Sequence, residues 1–260
     1  MTEPFPSPNH GERREGARPD HVVLHFTAMK DMASARERLC DPAAEVSAHW
    51  LIGNDGTMMQ LVDEARRAWH AGVGHWGDCS DLNSRSIGIE LDNPGTRPFS
   101  HTQMAALEGL LARILRQWQI PPQNVIAHSD MAPARKFDPG PRFDWARLAR
   151  QGLAVMPSQP VDGLAPDMAQ FLTLAQLFGY TSPDHDRILP AVRLRFRPFH
   201  DGPLDSTDMG LIAALARDYG QDGDQWRACQ RGAPSRAAPR GSAGSPWRRS
   251  GCWCPDRRSP

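Results

Sequence analysis

Between residues 125 and 141 the chain reads V-I-A-H-S-D-M-A-P-A-R-K-F-D-P-G-P, and three of its side chains could share one chemistry. His128 follows a short apolar run, Val125, Ile126 and Ala127, that predicts the end of a buried strand. Lys136 and Asp138 come next, on a loop stiffened by Pro133, Pro139 and Pro141 and turned at Gly140. An imidazole, a carboxylate and an ammonium on a rigid loop suit a hydrolytic metal site. They offer nitrogen and oxygen donors for Zn²⁺ and a cation for developing negative charge. Such a site needs at least one more ligand from elsewhere in the chain.

Ten histidines are available to supply it. His25 ends the apolar run H-V-V-L-H. Alone it reads first as a hydrogen-bonded strand-end histidine. With His128 and Asp138 it makes a three-ligand set with a fourth position open for water, as catalysis requires. Glu90 lies inside the apolar run I-G-I-E-L, where a carboxylate is costly unless it is paired or faces a cleft. It is either half of a buried ion pair or a general base with a raised pKa. His49 and His70 adjoin Trp50 and Trp69, and for them a structural or supporting role competes with substrate contact. His10, His75, His101, His185 and His200 fall in loops or at helix ends and read as solvated.

The elements that must position these groups follow from pattern. Strands are expected over residues 21–27, 47–52, 57–62, 86–91 and 125–127, with a hairpin turn at Gly53, Asn54, Asp55 and Gly56. A helix is expected over 29–39. The clearest helix opens at Ser100, with Gln103 completing a capping box, and stops at Pro121 and Pro122. Its apolar face is Met104, Leu107, Leu110, Leu111, Ile114, Leu115 and Trp118. Asp144 caps a short helix to Arg150. Interleaved strands and helices predict an α/β domain over 21–153, with a mixed central sheet flanked by helices. Residues 1–20 read as an extended N-terminal arm and 154–166 as a linker. A small three-helix domain is expected over 167–220, its last helix capped by Ser206 or Thr207. Residues 221–260 collapse to Arg, Gly, Ser, Pro and Ala with isolated Trp, which predicts a disordered tail. The change is abrupt enough to suggest a shifted reading frame, and Cys252 and Cys254 are too isolated to make a metal site.

Bulk properties exclude several classes. Lys plus Arg equals Asp plus Glu at 30 each, so no global charge points to nucleic acid. No run is long and apolar enough to span a bilayer. The N-terminus has no secretory leader and no lipobox-like cysteine, which predicts a cytoplasmic protein. Five cysteines, an odd count, form no disulfide framework.

Several segments together are similar to the zinc-dependent N-acetylmuramoyl-L-alanine amidases, the family that includes anhydro-muropeptide amidases, phage-type amidases and peptidoglycan-recognition proteins. They are V-L-H-F-T at 23–27, S-A-H-W-L-I at 47–52, N-D-G-T at 54–57, A-W-H-A-G at 68–72, S-I-G-I-E-L at 86–91 and the 127–141 stretch. They occur in family order over most of residues 21–150. The resemblance implies Zn²⁺ held by His25, His128 and Asp138, with Glu90 as acid/base and Lys136 as the transition-state cation. His49, His70 and Arg135 are weaker candidates for substrate or supporting contacts. The implied reaction is hydrolysis of the amide joining N-acetylmuramic acid, or its 1,6-anhydro form, to L-alanine of the stem peptide. The implied partners are peptidoglycan fragments or muropeptides, met by a monomer. Two positions depart from the family: Phe26 stands where Tyr is frequent, and Ala48 where some members carry a catalytic Tyr. The acid/base role therefore rests on Glu90. Residues 191–199, A-V-R-L-R-F-R-P-F, and 201–207, D-G-P-L-D-S-T, resemble a three-helix peptidoglycan-binding domain. Contact with the cell wall would then compete with a cytoplasmic site of action. Two rival readings are a recognition module without catalysis and a zinc peptidase acting on another amide.

Overall fold

A computed structural model describes residues 3–4 and 7–220. The readings made for 221–260 lie outside the described residues. In chain order the elements are β1 (Glu3–Pro4), β2 (His10–Gly11), β3 (His21–Phe26), α1 (Met32–Cys40), β4 (Trp50–Ile52), β5 (Met58–Gln60) and β6 (Arg67–Ala68). Then come α2 (Leu82–Arg85), β7 (Ser86–Leu91), α3 (His101–Trp118), β8 (Val125–Ala127), α4 (His128–Met131) and α5 (Trp145–Arg150). Three helices close the described chain: α6 (Met168–Phe178), α7 (His185–Phe196) and α8 (Ser206–Tyr219).

The main sheet runs β1-β5-β4-β7-β3-β8. Only β4 and β5 pair antiparallel, through the Asn54–Gly56 turn; β4, β7, β3 and β8 are parallel. It is the mixed sheet flanked by helices that the pattern predicts. Side chains alternate across it. Val22, Leu24, Ile87 and Ile89 face α3 and pack on Met104, Leu107 and Leu111. Val23 and Ile126 face the other way, into a core shared with Phe171, Leu174, Val192 and Met209 of the last three helices. Residues two apart share a face, so His25 lies on the side of Val23, opposite α3. Glu90 is its register partner on β7.

Several expectations need correction. Within the supposed arm, Ser7, Asn9 and Arg13 are buried. β2 pairs with β6 and β1 with β5. Arg13 donates to the carbonyls of Ser84 at 2.7 Å and Glu64 at 2.7 Å, so a charged side chain ties this segment down. The predicted linker begins with Ala154 and Val155, both buried. Helix α1 starts later than expected because Asp31 accepts from Ser34 N and makes the cap. Asp81 likewise caps α2, an element absent from the pattern reading. The Ser100 cap is real, but Gln103 does not reach back to close the box. Its amide donates to Ile52 O at 2.9 Å and clips the helix to the sheet. The last helix is capped by Asp205, not by Ser206 or Thr207, since Asp205 and Asp208 each accept from the other's backbone N–H.

Candidate functional site

His25 stands one residue from the C-terminal end of β3, beside β8. His128 was expected at the end of the strand β8 but opens the short helix α4. The reason is Asp130, whose Oδ2 accepts from Ala127 N at 2.9 Å and closes the helical turn. Asp138 returns on the following loop, and Ser129 N donates to its carbonyl at 3.1 Å. Three atoms converge as a result. His25 Nδ1 and His128 Nδ1 are 2.9 Å apart, and Asp138 Oδ2 is 3.0 Å from each. All three residues are buried, and together they could hold a metal ion.

The outer nitrogens fix the tautomers. His128 Nε2 lies 3.0 Å from Ala71 O, an acceptor only, so Nε2 carries the proton and Nδ1 offers a lone pair. His25 Nε2 lies 3.0 Å from His70 Nδ1, and His70 Nε2 lies 3.3 Å from Ser86 Oγ, whose hydroxyl donates to Leu82 O. One consistent assignment runs along this chain. His25 Nε2–H donates to His70, His70 Nε2–H donates to Ser86, and His25 Nδ1 is left free of a proton. Two bare nitrogens and a carboxylate oxygen facing one another repel unless a cation lies among them. Tetrahedral zinc with bonds near 2.0–2.1 Å would separate its ligands by about 3.3 Å, close to the spacing seen. The donor set therefore fits.

Electrostatics agree with these protonation states. Burial, with the neighbouring His128, lowers the His25 pKa to about 4. Burial would raise Asp138; it is held well below its usual range only by a positive partner facing it, an Nδ1 proton of His128 or His25 or a cation in that proton's place. Burial, followed by the neighbouring His25, His49 and His128, pushes His70 well below its usual value, so it stays neutral.

Above the triad a pocket of about 310 Å³ opens, lined in part by His70, Glu90, Lys136, Phe137 and Arg38. Glu90 is half-buried, and its Oε2 has no hydrogen-bond partner, so the buried ion pair considered from sequence is absent. Burial and the charge of Asp138 raise its pKa to about 8, against the opposing charge of Lys136. The Lys136 side chain donates no hydrogen bond among the described residues and is available to a ligand. Arg135 lines the pocket too, but its guanidinium is engaged with the carbonyls of Ala71 and Val73.

His49 is not at the pocket. It is fully buried, accepts from Gly88 N at 2.9 Å and donates to Arg66 O at 3.0 Å. Burial, then the charge of Arg13, lowers its pKa to about 3. Sequence reasoning missed Gly88 altogether. A Cβ there would fall 2.4 Å from the His70 ring, so this glycine makes the room that lets His70 reach His25. A glycine inside an apolar strand was the available signal.

Fold and site thus define a mixed-sheet α/β protein with a His-His-carboxylate group at strand ends, beneath an acid and a cation. The sequence profile described as N-acetylmuramoyl-L-alanine amidase matches residues 15–141. The chain is 37% identical over 233 residues to the N-acetylmuramoyl-L-alanine amidase AmiD of Escherichia coli K12, covering 77% of this chain and 83% of that one. It is 34% identical to the 1,6-anhydro-N-acetylmuramyl-L-alanine amidase AmpD of Enterobacter cloacae, over 55% of this chain and 86% of that one. The fold superposes with a TM-score of 0.71 on E. coli AmiD in complex with anhydro-N-acetylmuramic acid-L-Ala-D-γ-Glu-L-Lys. That match is 34% identical and covers 81% of this chain and 94% of AmiD. The chain belongs to the N-acetylmuramoyl-L-alanine amidase family.

Proposed function

We propose that this chain hydrolyses the amide between the lactyl group of N-acetylmuramic acid, or its 1,6-anhydro form, and L-alanine of the stem peptide. Zn²⁺ would be held by His25 Nδ1, His128 Nδ1 and Asp138 Oδ2. The observation that carries this reading is the convergence of three donor atoms, all about 3 Å apart, beside the unpartnered Oε2 of Glu90. When bound, the metal supplies Lewis acidity that brings the pKa of water to about 7.

The rest of the work falls to side chains. Glu90 has a pKa near neutrality and a free Oε2, so it can take a proton from the attacking water and pass it to the departing L-alanine nitrogen. Lys136 meets the negative charge that develops on the lactyl carbonyl oxygen, an effect typically of about 3 kcal/mol. His70 and the Ala71 carbonyl keep the two imidazoles turned with Nδ1 inward. Phe26 packs edge-on to Phe137 at 5.2 Å and closes one wall of the pocket, a role that needs no hydroxyl.

The helical segment 167–220 is proposed to assist contact with the wall. The residues that carry its resemblance to a binding domain include Val192, Arg193, Arg195 and Phe196, all buried. They build the bundle, so a wall contact would use other surface. No helix among the described residues is long and apolar enough to cross a membrane. A cytoplasmic site of action pairs with soluble anhydro-muropeptides and a wall-facing one with intact sacculi. Assay on both substrates, with fractionation of the full chain, separates them.

Glu90→Ala tests the reading directly. It should keep one zinc per chain by metal analysis and lose turnover, whereas His128→Ala should lose both. Wild-type turnover in Glu90→Ala would overturn the role of Glu90. A zinc-loaded wild type that binds muropeptide without cleaving it would favour a recognition module, and cleavage at a different amide would favour a peptidase.

A further inference from the structure

Asp130 is completely buried, two residues beyond His128, and takes no part in the proposed chemistry. Its partners come from the helical segment. Tyr180, just after α6, donates its hydroxyl to Oδ1 at 2.6 Å. Arg195, on α7, donates to Oδ2 at 2.7 Å, and its own side chain is fully buried. We propose that Tyr180 and Arg195 are positioning residues for the metal centre: through Asp130 they clamp the turn that aims His128. The helical segment is thereby part of the active-site scaffold, whatever it does at the wall.

The path is short and continuous. Asp130 Oδ2, besides meeting Arg195, accepts from Ala127 N, the residue before His128. The second guanidinium nitrogen of Arg195 donates to Val125 O at 3.1 Å, so one side chain grips both strand β8 and the turn that follows it. The guanidinium lies 4.2 Å from the centre of the Trp145 ring and 4.8 Å from that of Phe196, which leaves it little freedom to move. Ser129 N then passes the constraint to Asp138 through its carbonyl. The loop that carries Trp76 and Gly77 is held by the same segment: Thr181 donates to Gly77 O, and Trp76 packs edge-on to Tyr180 at 4.9 Å. A buried carboxylate that loses one of these donors is left undercompensated, and the turn it organises loosens. Catalytic and metal groups tolerate only about 0.5 Å of such drift.

The inference rests on the reading of His128 and Asp138 as ligands, so the test separates the two. Tyr180→Phe keeps the ring and removes one hydrogen bond; Arg195→Lys keeps the charge and removes the fork. The control is Arg193→Lys. Arg193 is also buried and paired with Asp208, but it bonds only within the bundle, to Asp208 and the carbonyls of Gly202 and Pro203. The full chain is loaded with Co²⁺ for its visible absorption, and zinc affinity is measured by competition with a chelator, at a temperature where circular dichroism shows every variant folded. Tyr180→Phe and Arg195→Lys should weaken zinc on the order of 10-fold. They should also change the Co²⁺ band and lower kcat with KM unchanged. Arg193→Lys should lower the melting temperature and leave the band and the affinity alone. If Tyr180→Phe and Arg195→Lys keep wild-type affinity and spectrum, or if Arg193→Lys alters both equally, the clamp is overturned and the cluster only stabilises the fold. A wild type that holds neither metal overturns the ligand assignment, and the clamp with it.

Discussion

His25 Nε2 sits 3.0 Å from His70 Nδ1, and this single contact decides which nitrogen of His25 faces the pocket. A neutral imidazole offers one donor and one acceptor. With Ser86 on its far side, His70 presents its acceptor to His25 and leaves the inner nitrogen bare. His70→Ala is therefore expected to bind zinc about 10- to 100-fold more weakly while the fold stays intact. Chelator competition on the purified variant checks this. Unchanged affinity would mean that His25 keeps its orientation without help.

Gly88 should be as sensitive as His70, although it touches no ligand. A methyl group there would fall 2.4 Å from the buried His70 ring. Gly88→Ala is expected to cost about 1–3 kcal/mol in urea unfolding, the usual range for overpacking. It should also weaken zinc as His70→Ala does. A variant with lowered stability and normal zinc affinity would show that the ring can shift without disturbing His25.

Glu90→Gln removes the proton acceptor and keeps the shape. The expected loss in kcat is about 10²- to 10⁴-fold, with zinc retained. In the metal-free chain the same substitution should raise stability at alkaline pH. The folded pKa of Glu90 is about 8 against 4.5 for the ordinary group. Between these values the folded state holds a proton that the unfolded state has lost, so this group's contribution falls as pH rises from about 4.5 to 8. Denaturation of both proteins at pH 5 and pH 8 should show the wild type losing more than the variant.

His49 gives the opposite sign. Its folded pKa is about 3, below the ordinary 6.5. Below pH 6.5 the unfolded chain takes up a proton at this site and the folded chain does not. Its contribution is thus fully present above 6.5 and is lost as pH falls toward 3. His49→Gln should lower stability at pH 7 by about 1–3 kcal/mol, through the lost bonds to Gly88 and Arg66. The gap to wild type should narrow between pH 6.5 and 4. A constant gap across that range would mean that His49 is protonated in the folded state.

Much of the site was legible because its residues violate local expectation. His25 and Glu90 are polar groups in apolar strands, and Asp138 and Lys136 sit between prolines, so each stood out alone. The placement of His128 on a helix rather than at a strand's end was hidden because the cause is the Asp130 side chain, not a turn residue. His70 could be named but not assigned, since its role depends on a gap left by Gly88 on another strand. Arg13 looked like part of a polar arm because nothing local shows that four separated carbonyl groups wait for its guanidinium. The helical segment was read as separate because its helices carry their own apolar faces. Val23 and Ile126 share that core, and one strand's alternation does not reveal which partner covers its second face.

The central claim is that water, acting at this site, opens one particular amide. The direct measurement is mass spectrometry of the products formed by the zinc-loaded chain from anhydro-N-acetylmuramyl-tripeptide in ¹⁸O-labelled water. The account predicts a free peptide beginning at L-alanine and a single ¹⁸O in the lactyl carboxyl group of the sugar. Intact substrate, or label at a different carbonyl, would contradict it.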